Sequence, residues 1–100
     1  MSGAARDYAV SDQVLTAHLD GEAIVLNLDT KQYYQLNSSA ARIWSGLERG
    51  LDDDALVAEL CDIFDVSPEV AAAEIPRMIQ RWVELGLVVA RSGSRPDPVR

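Results

Sequence analysis

A strand hairpin that runs almost without a loop into an amphipathic helix is the feature that most restricts this chain. It lies in residues 24–44, IVLNLDTKQYYQLNSSAARIW. Ile24, Leu26 and Leu28 alternate along one segment, and Tyr34 and Leu36 along the next, which is the period of a half-buried strand. Asn37 then stands where a helix N-cap belongs, before Ala40, Ile43, Trp44 and Leu47 at helical spacing. A sheet that feeds helices this directly leaves a strand edge beside a helix face. Such a groove can accept an extended peptide.

The flanking sequence extends the pattern on both sides. Residues 14–19, VLTAHL, are rich in strand formers, and Asp20-Gly21 after them is a two-residue hairpin signal. Strands over 22–28 and 32–36, separated by a turn at Asp29-Thr30-Lys31, complete a three-stranded antiparallel meander. Its apolar face is expected to be Ile24, Leu26, Leu28, Tyr34 and Leu36. A first helix is predicted from Ser38 to Glu48, stopped by Gly50. A second opens at Asp52, with Leu56, Val57, Leu60, Cys61 and Phe64 along one face. The acids Asp53 and Asp54 suit the positive end of the helix dipole, whereas a calcium loop would spread its ligands over about twelve residues. A third helix opens with Ser67 as cap and Pro68 in the first turn, and runs to Leu85 before Gly86. Leu87–Val89 then form a short extended segment.

Pro76 interrupts the third helix. It removes the bond from its own nitrogen to the Ala72 carbonyl, at a cost of about 3 kcal/mol in an undistorted helix. A kink near Ala72–Ile75, or two short helices, is therefore expected. Residues 1–12 have no period and read as a flexible arm with Tyr8 and Val10 within reach of the body. Residues 91–100, Pro/Gly/Ser-rich, read as a disordered tail, leaving 13–90 as one folded domain. The class is α+β: a three-stranded antiparallel sheet followed by a three-helix bundle, similar to a winged helix-turn-helix.

Charge and composition narrow the function. Residues 1–90 hold six Lys/Arg against fifteen Asp/Glu, a net −9, which repels phosphate backbones. The third helix, which would be the recognition helix of a DNA binder, carries Arg77 and Arg81 but also Glu69, Glu74 and Glu84. No nucleic-acid partner is expected. One Cys and one His, Cys61 and His18, fall short of the four ligands of a structural zinc site, and Cys61 sits at an apolar helix position. No metal or other cofactor is implied. Phosphate-binding glycine loops, HExxH and nucleophile-triad patterns are missing from the sequence, so no enzyme is indicated. No run of about 18 apolar residues exists to span a membrane, and the N-terminus does not read as a secretory signal, so the cytoplasm is expected.

Peptide binding uses the features that are present. In a simple meander the third strand, Gln32, Tyr33, Tyr34, Gln35 and Leu36, is an edge with unpaired backbone groups. On the third helix, Ala71, Glu74, Met78 and Arg81 share a face, with Arg77 beside it. Met78 would offer an adaptable floor, and the arginines would meet acidic groups. The alternative is that these arginines are solvated, or pair with Glu74 and Glu84 within the helix. The residues alone leave both open. A winged-helix regulator and a dimerisation module using the same edge are the other classes, and either a monomer or a dimer is compatible.

The order LNLDTKQYYQLNSSAARIW, IFDVSPEVA, IPRMIQRWVELGLV resembles the PqqD family, over about Val14 to Val88. Tyr34-Gln35-Leu36-Asn37 leading into Ala41 and Ile43-Trp44, then Leu85-Gly86-Leu87-Val88, carry the resemblance. It implies a domain without catalytic activity that binds the leader of a ribosomally made precursor peptide. The leader would add to the third strand at Gln32–Leu36 and pack on helix residues drawn from Ala71, Glu74, Arg77, Met78 and Arg81. Pro76 departs from the family pattern there. The resemblance also implies delivery to a modifying enzyme. That enzyme is a radical S-adenosylmethionine enzyme in pyrroloquinoline quinone biosynthesis, or a leader peptidase working with a cyclase in lasso peptide clusters. The Tyr-Gln-Leu-Asn segment is similar to that of the lasso members.

Overall fold

The computed structural model describes residues 8–90. Three strands, β2 (Val14–Leu19), β3 (Glu22–Asn27) and β4 (Gln32–Leu36), form an antiparallel sheet in that order. They follow β1 (Tyr8–Val10) and precede α1 (Ser38–Arg49), α2 (Asp53–Ile63), α3 (Pro68–Glu84) and β5 (Val88–Ala90). The α+β class, with sheet first and three helices after, is as the sequence predicts.

Local chemistry accounts for the joins. Asp20 and Gly21 both take positive φ, 50° and 83°, as a two-residue turn matched to strand twist demands. Asn37 caps α1 by accepting from the Ala40 N–H at 3.0 Å, and Gly50 ends that helix in the left-handed region. Asp52 caps α2 through the Ala55 N–H, and Ser67 caps α3 through Val70. Asn27 is the buried polar side chain of the sheet. Its Oδ1 accepts from the N–H groups of Asp29 (2.9 Å) and Thr30 (3.3 Å), which shapes the loop that sends the chain back into β4.

Helix α1 packs on the inner sheet face, and α2 and α3 pack together to complete the core. Trp44 of α1 is fully buried, with its ring edge-on to Trp82 of α3 at 5.1 Å and 86°. Its Nε1–H reaches Thr16 Oγ1 on β2 (3.0 Å) and Glu48 Oε2 (3.2 Å), which ties sheet to helix. Arg49 donates to Glu59 at 2.9 Å and so links α1 to α2. That bond, ahead of the Coulomb attraction, holds the Glu59 carboxyl below its usual range and raises the Arg49 guanidinium.

Three expectations are corrected. The inward residues of β3 are Ala23, Val25 and Asn27, whereas Ile24 and Leu26 point outward. Pairing decides this: Ala23 lies opposite Leu36 and Val25 opposite Tyr34, so these four share one face. Small side chains there let α1 seat its Ala40, Ala41 and Trp44 close to the sheet. Second, Tyr8–Val10 do not belong to a flexible arm. They pair antiparallel with Val88–Ala90, Tyr8 opposite Ala90, and Tyr8 and Val10 pack against the core. Third, of the two outcomes expected at Pro76, a kink or two short helices, the second does not occur: α3 runs as one helix from Pro68 to Glu84. Pro76 is solvent-exposed, as is Ala72, so the carbonyl deprived of its bond can turn towards water. The remaining arm residues, 1–7, and the tail, 91–100, lie outside the described residues.

Candidate functional site

Backbone parity determines which β4 groups are open. The two-residue turn closes on Leu19 opposite Glu22, and Leu28 N–H donates to the Gln13 carbonyl at 2.8 Å. Hydrogen-bonded pairs alternate along an antiparallel ladder, so residues 22, 24, 26 and 28 turn their backbone groups towards β2. Ala23, Val25 and Asn27 therefore turn theirs to β4, where they meet Leu36, Tyr34 and Gln32. Tyr33 and Gln35 are left with N–H and C=O directed at the open edge. No strand pairs beyond β4 among the described residues.

Side chains follow the same alternation. Leu36 is a core residue, 6% exposed, and Tyr34 is half-buried with its hydroxyl donating to Gln32 Oε1 at 3.0 Å. Gln32, Tyr33 and Tyr34, with Lys31, line an open hollow at the start of β4.

A second hollow, of about 340 Å³, opens among the helices. Ser39 and Ile43 of α1 form one wall, and Ala71, Glu74 and Met78 of α3 another. Leu60, Phe64 and Val66, from the end of α2 and the turn after it, supply an apolar base. Ser39 comes three residues after the last residue of β4, so the strand leads towards this wall. Volume and lining suit one or two apolar side chains of a ligand. Arg77 and Arg81 lie elsewhere on α3, along a shallow outer surface shared with Glu74, Met78 and Glu84. Arg77 is paired within the helix to Glu74 at 3.3 Å.

The structure thus brings Ala71, Glu74 and Met78 together in one apolar recess. Gln32–Tyr34 line a separate hollow on the strand edge, and Arg77 and Arg81 line neither hollow but an adjoining outer surface that shares Glu74 and Met78 with the recess. Sequence reading missed Ile43, Leu60, Phe64 and Val66. Ile43, Leu60 and Phe64 fell on apolar helix stripes and Val66 in the turn between helices, and only the packing of three helices shows that they stop short of closing the core. Phe64, at the end of the apolar stripe of α2, was the available signal.

Among the described residues no group of three or more His, Cys, Asp or Glu could hold a metal ion. No helix there is long and apolar enough to cross a membrane. Cys61 is half-buried against the core.

These features define a class: a small α+β domain with an unpaired strand edge and a helical recess near its end. The family model described as coenzyme PQQ synthesis protein D (PqqD) matches residues 22–88, and the chain belongs to the PqqD family. Two solved structures share the fold. One is TbiB1 in complex with the TbiA(beta) leader peptide, at TM-score 0.75 and 29% identity, covering 80% of this chain and 93% of that one. The other is a lasso peptide synthetase B1 complexed with the leader peptide, at TM-score 0.76 and 21% identity, covering 84% and 99%. No curated protein matches the chain.

Proposed function

We propose that this protein is a non-catalytic carrier that binds the leader segment of a ribosomally made precursor peptide and presents it to a modifying or processing enzyme in the cytoplasm. The observation that carries the reading is the open β4 edge, where Tyr33 and Gln35 offer unpaired backbone groups, close in the chain to the apolar recess. The likeness to TbiB1, whose structure holds a leader peptide, supports a leader as ligand.

Binding proceeds by strand addition. The leader bonds to the Tyr33 and Gln35 backbone, and alternate side chains fall on the inner side of the sheet. An aliphatic or aromatic side chain of the leader enters the recess against Met78 and Phe64. Arg77 and Arg81 flank the α3 side, and Arg81 is available to an acidic leader residue. Ordering each leader residue costs about 1–2 kcal/mol, so several strand bonds and a buried anchor are needed to reach micromolar affinity. The DNA-binding alternative gains nothing, since Arg77 is already paired to Glu74 and the body is acidic.

The test is a titration of the isotope-labelled protein with leader segments of short peptides encoded beside it, followed by backbone amide spectra. Shifts concentrated on Gln32–Leu36, Ser39 and Ala71–Met78 are expected. A folded protein whose spectrum no such leader alters refutes the proposal.

A further inference from the structure

Strand β4 is an edge without the usual protections. Its residues, QYYQL, hold no charge and no proline, and their register against β3 runs without a bulge. An edge left this plain is a template for another strand. Tyr33, 73% exposed, stands at its centre with nothing packed over it.

Two open residues two positions apart also make this edge complementary to itself. Set Tyr33 opposite Gln35 of a second copy, and Gln35 opposite its Tyr33, and each pair exchanges two backbone bonds about a two-fold axis at Tyr34. The neighbouring two-fold registers do less well. Centred on Tyr33, the pairing sets Gln35 against Lys31, which turns out of the strand with a φ of 65°. Centred on Gln35, it sets Tyr33 against Asn37, whose carbonyl is already taken by the Ala41 N–H at 2.7 Å. The register at Tyr34 suits the side chains too. The two Tyr34 Cα atoms stand about 4.5 Å apart as a non-hydrogen-bonded pair, within reach of ring contact. Each Tyr33 lies beside a Gln35 across the seam, and each Lys31 faces an Asn37, so no like charges are opposed.

We infer that the β4 edge pairs with that of a second copy of this chain in the register centred on Tyr34, and, resting on the leader-peptide reading above, that leader and second copy exclude one another there. The pair covers the unpaired backbone groups while no leader is present and gives way when one arrives. Its size fits that use. Five residues at about 3.3 Å each, on a sheet about 10 Å thick, present on the order of 160 Å². A stable pair takes about 800 Å² from each partner, so this one is weak and reversible, as a contact displaced by a peptide must be. Each chain carries −7 whereas the seam is neutral, so the bodies repel and salt strengthens the pair.

The test is sedimentation equilibrium of the full chain over a range of concentrations, at low and high salt. Amide exchange at Tyr33 and Gln35, and NOEs between a labelled and an unlabelled copy, accompany it. A monomer–dimer equilibrium favoured by high salt is expected. Exchange at those two amides should slow as concentration rises, and the Tyr34 Hα protons of the two copies should show a mutual NOE. Gln35→Pro, which removes two of the four bonds, should weaken association at least tenfold. Tyr33→Asp, at a side chain already in solvent, serves if Gln35→Pro fails to fold and should weaken it at least threefold. A chain that stays monomeric at the highest concentration of the NMR sample overturns the inference. So does a dimer that the folded variants leave intact, or one that salt dissolves. Protection of the two amides at every concentration overturns it as well, since the edge would then be covered from within the chain. A leader that binds in the titration above is then added to the dimer, and dissociation into monomers with one leader each is expected. A leader that binds while the dimer persists overturns the exclusion. If no leader binds, the peptide-binding reading falls, and the sedimentation result judges the pairing by itself.

Discussion

Proline substitution along β4 tests the strand-addition geometry most directly. The perturbation is a pair of variants one residue apart, Gln35→Pro and Tyr34→Pro. Ladder parity directs the Gln35 N–H at the open edge and the Tyr34 N–H at Val25 of β3. Gln35→Pro therefore leaves the sheet's internal bonds intact and deletes one donor offered to the leader. A net hydrogen bond is worth about 0.5–1.5 kcal/mol, and an acceptor stranded at the interface costs about 1–3 kcal/mol. The Kd for leader should rise by about five- to a hundredfold. Tyr34→Pro removes a bond inside the ladder and forces a ring into the strand next to the core, so it should destabilise the fold itself by about 3 kcal/mol. Fluorescence polarisation with a labelled leader reads the first effect, and urea unfolding followed by the buried tryptophans reads the second. If Gln35→Pro unfolds the domain while Tyr34→Pro stays folded, the parity argument is wrong. If both remain folded and bind leader normally, strand addition at this edge is wrong.

Further outcomes follow from the packing. A Cβ added at Gly46 would overlap the Leu56 Cδ2 methyl and stand 3.0 Å from its Cγ, with Leu56 fully buried. Gly46→Ala should thus lose about 1–3 kcal/mol to overpacking, part of it offset by about 1 kcal/mol of helix propensity, for a net loss measurable by denaturant melts. Trp44→Phe deletes the bonds to Thr16 and Glu48 and alters the ring contact with Trp82; a loss of about 2–3 kcal/mol is expected in the same assay. Met78→Lys places a charge in the wall of the helical recess. It should weaken leader binding at least tenfold with little change in melting temperature, and unaltered affinity would exclude the recess from the site. The Glu59 carboxyl is held below its ordinary range by Arg49, so its contribution is present above that range and is lost as pH falls through the lowered value. For a pair this exposed it is worth about 0.2–1 kcal/mol, and Glu59→Gln should flatten that part of the acid limb of stability against pH.

Much of this fold is legible locally. Asn37, Asp52 and Ser67 announce three helix starts because each acts on N–H groups two or three residues away. Asp20-Gly21 announces its turn because few other residue pairs accept two positive φ angles. The inner face of β3 was not legible, because Ala23, Ile24, Val25 and Leu26 are apolar at both parities. The choice rests on register with β4 and on how closely α1 must approach. Pairing between β1 and β5 joins three residues at each end across some 80 positions, too short and too distant to leave a periodic signal. The edge half of the candidate site could be read from strand order, whereas the recess exists only where three helices fail to meet.

The pairing of β1 with β5 bears on how such a domain can be wired into larger proteins. Tyr8 and Ala90 stand opposite one another on adjacent strands, so the chain enters and leaves at one place, about 5 Å apart. A second polypeptide fused at either end would be tethered from the same point. A domain inserted whole into a loop of a host would stretch that loop hardly at all. Joining the two ends and opening the chain in the α1–α2 turn would preserve every strand pair. Gene fusion, insertion and circular permutation thus become nearly equivalent ways of attaching one peptide clamp to different machinery.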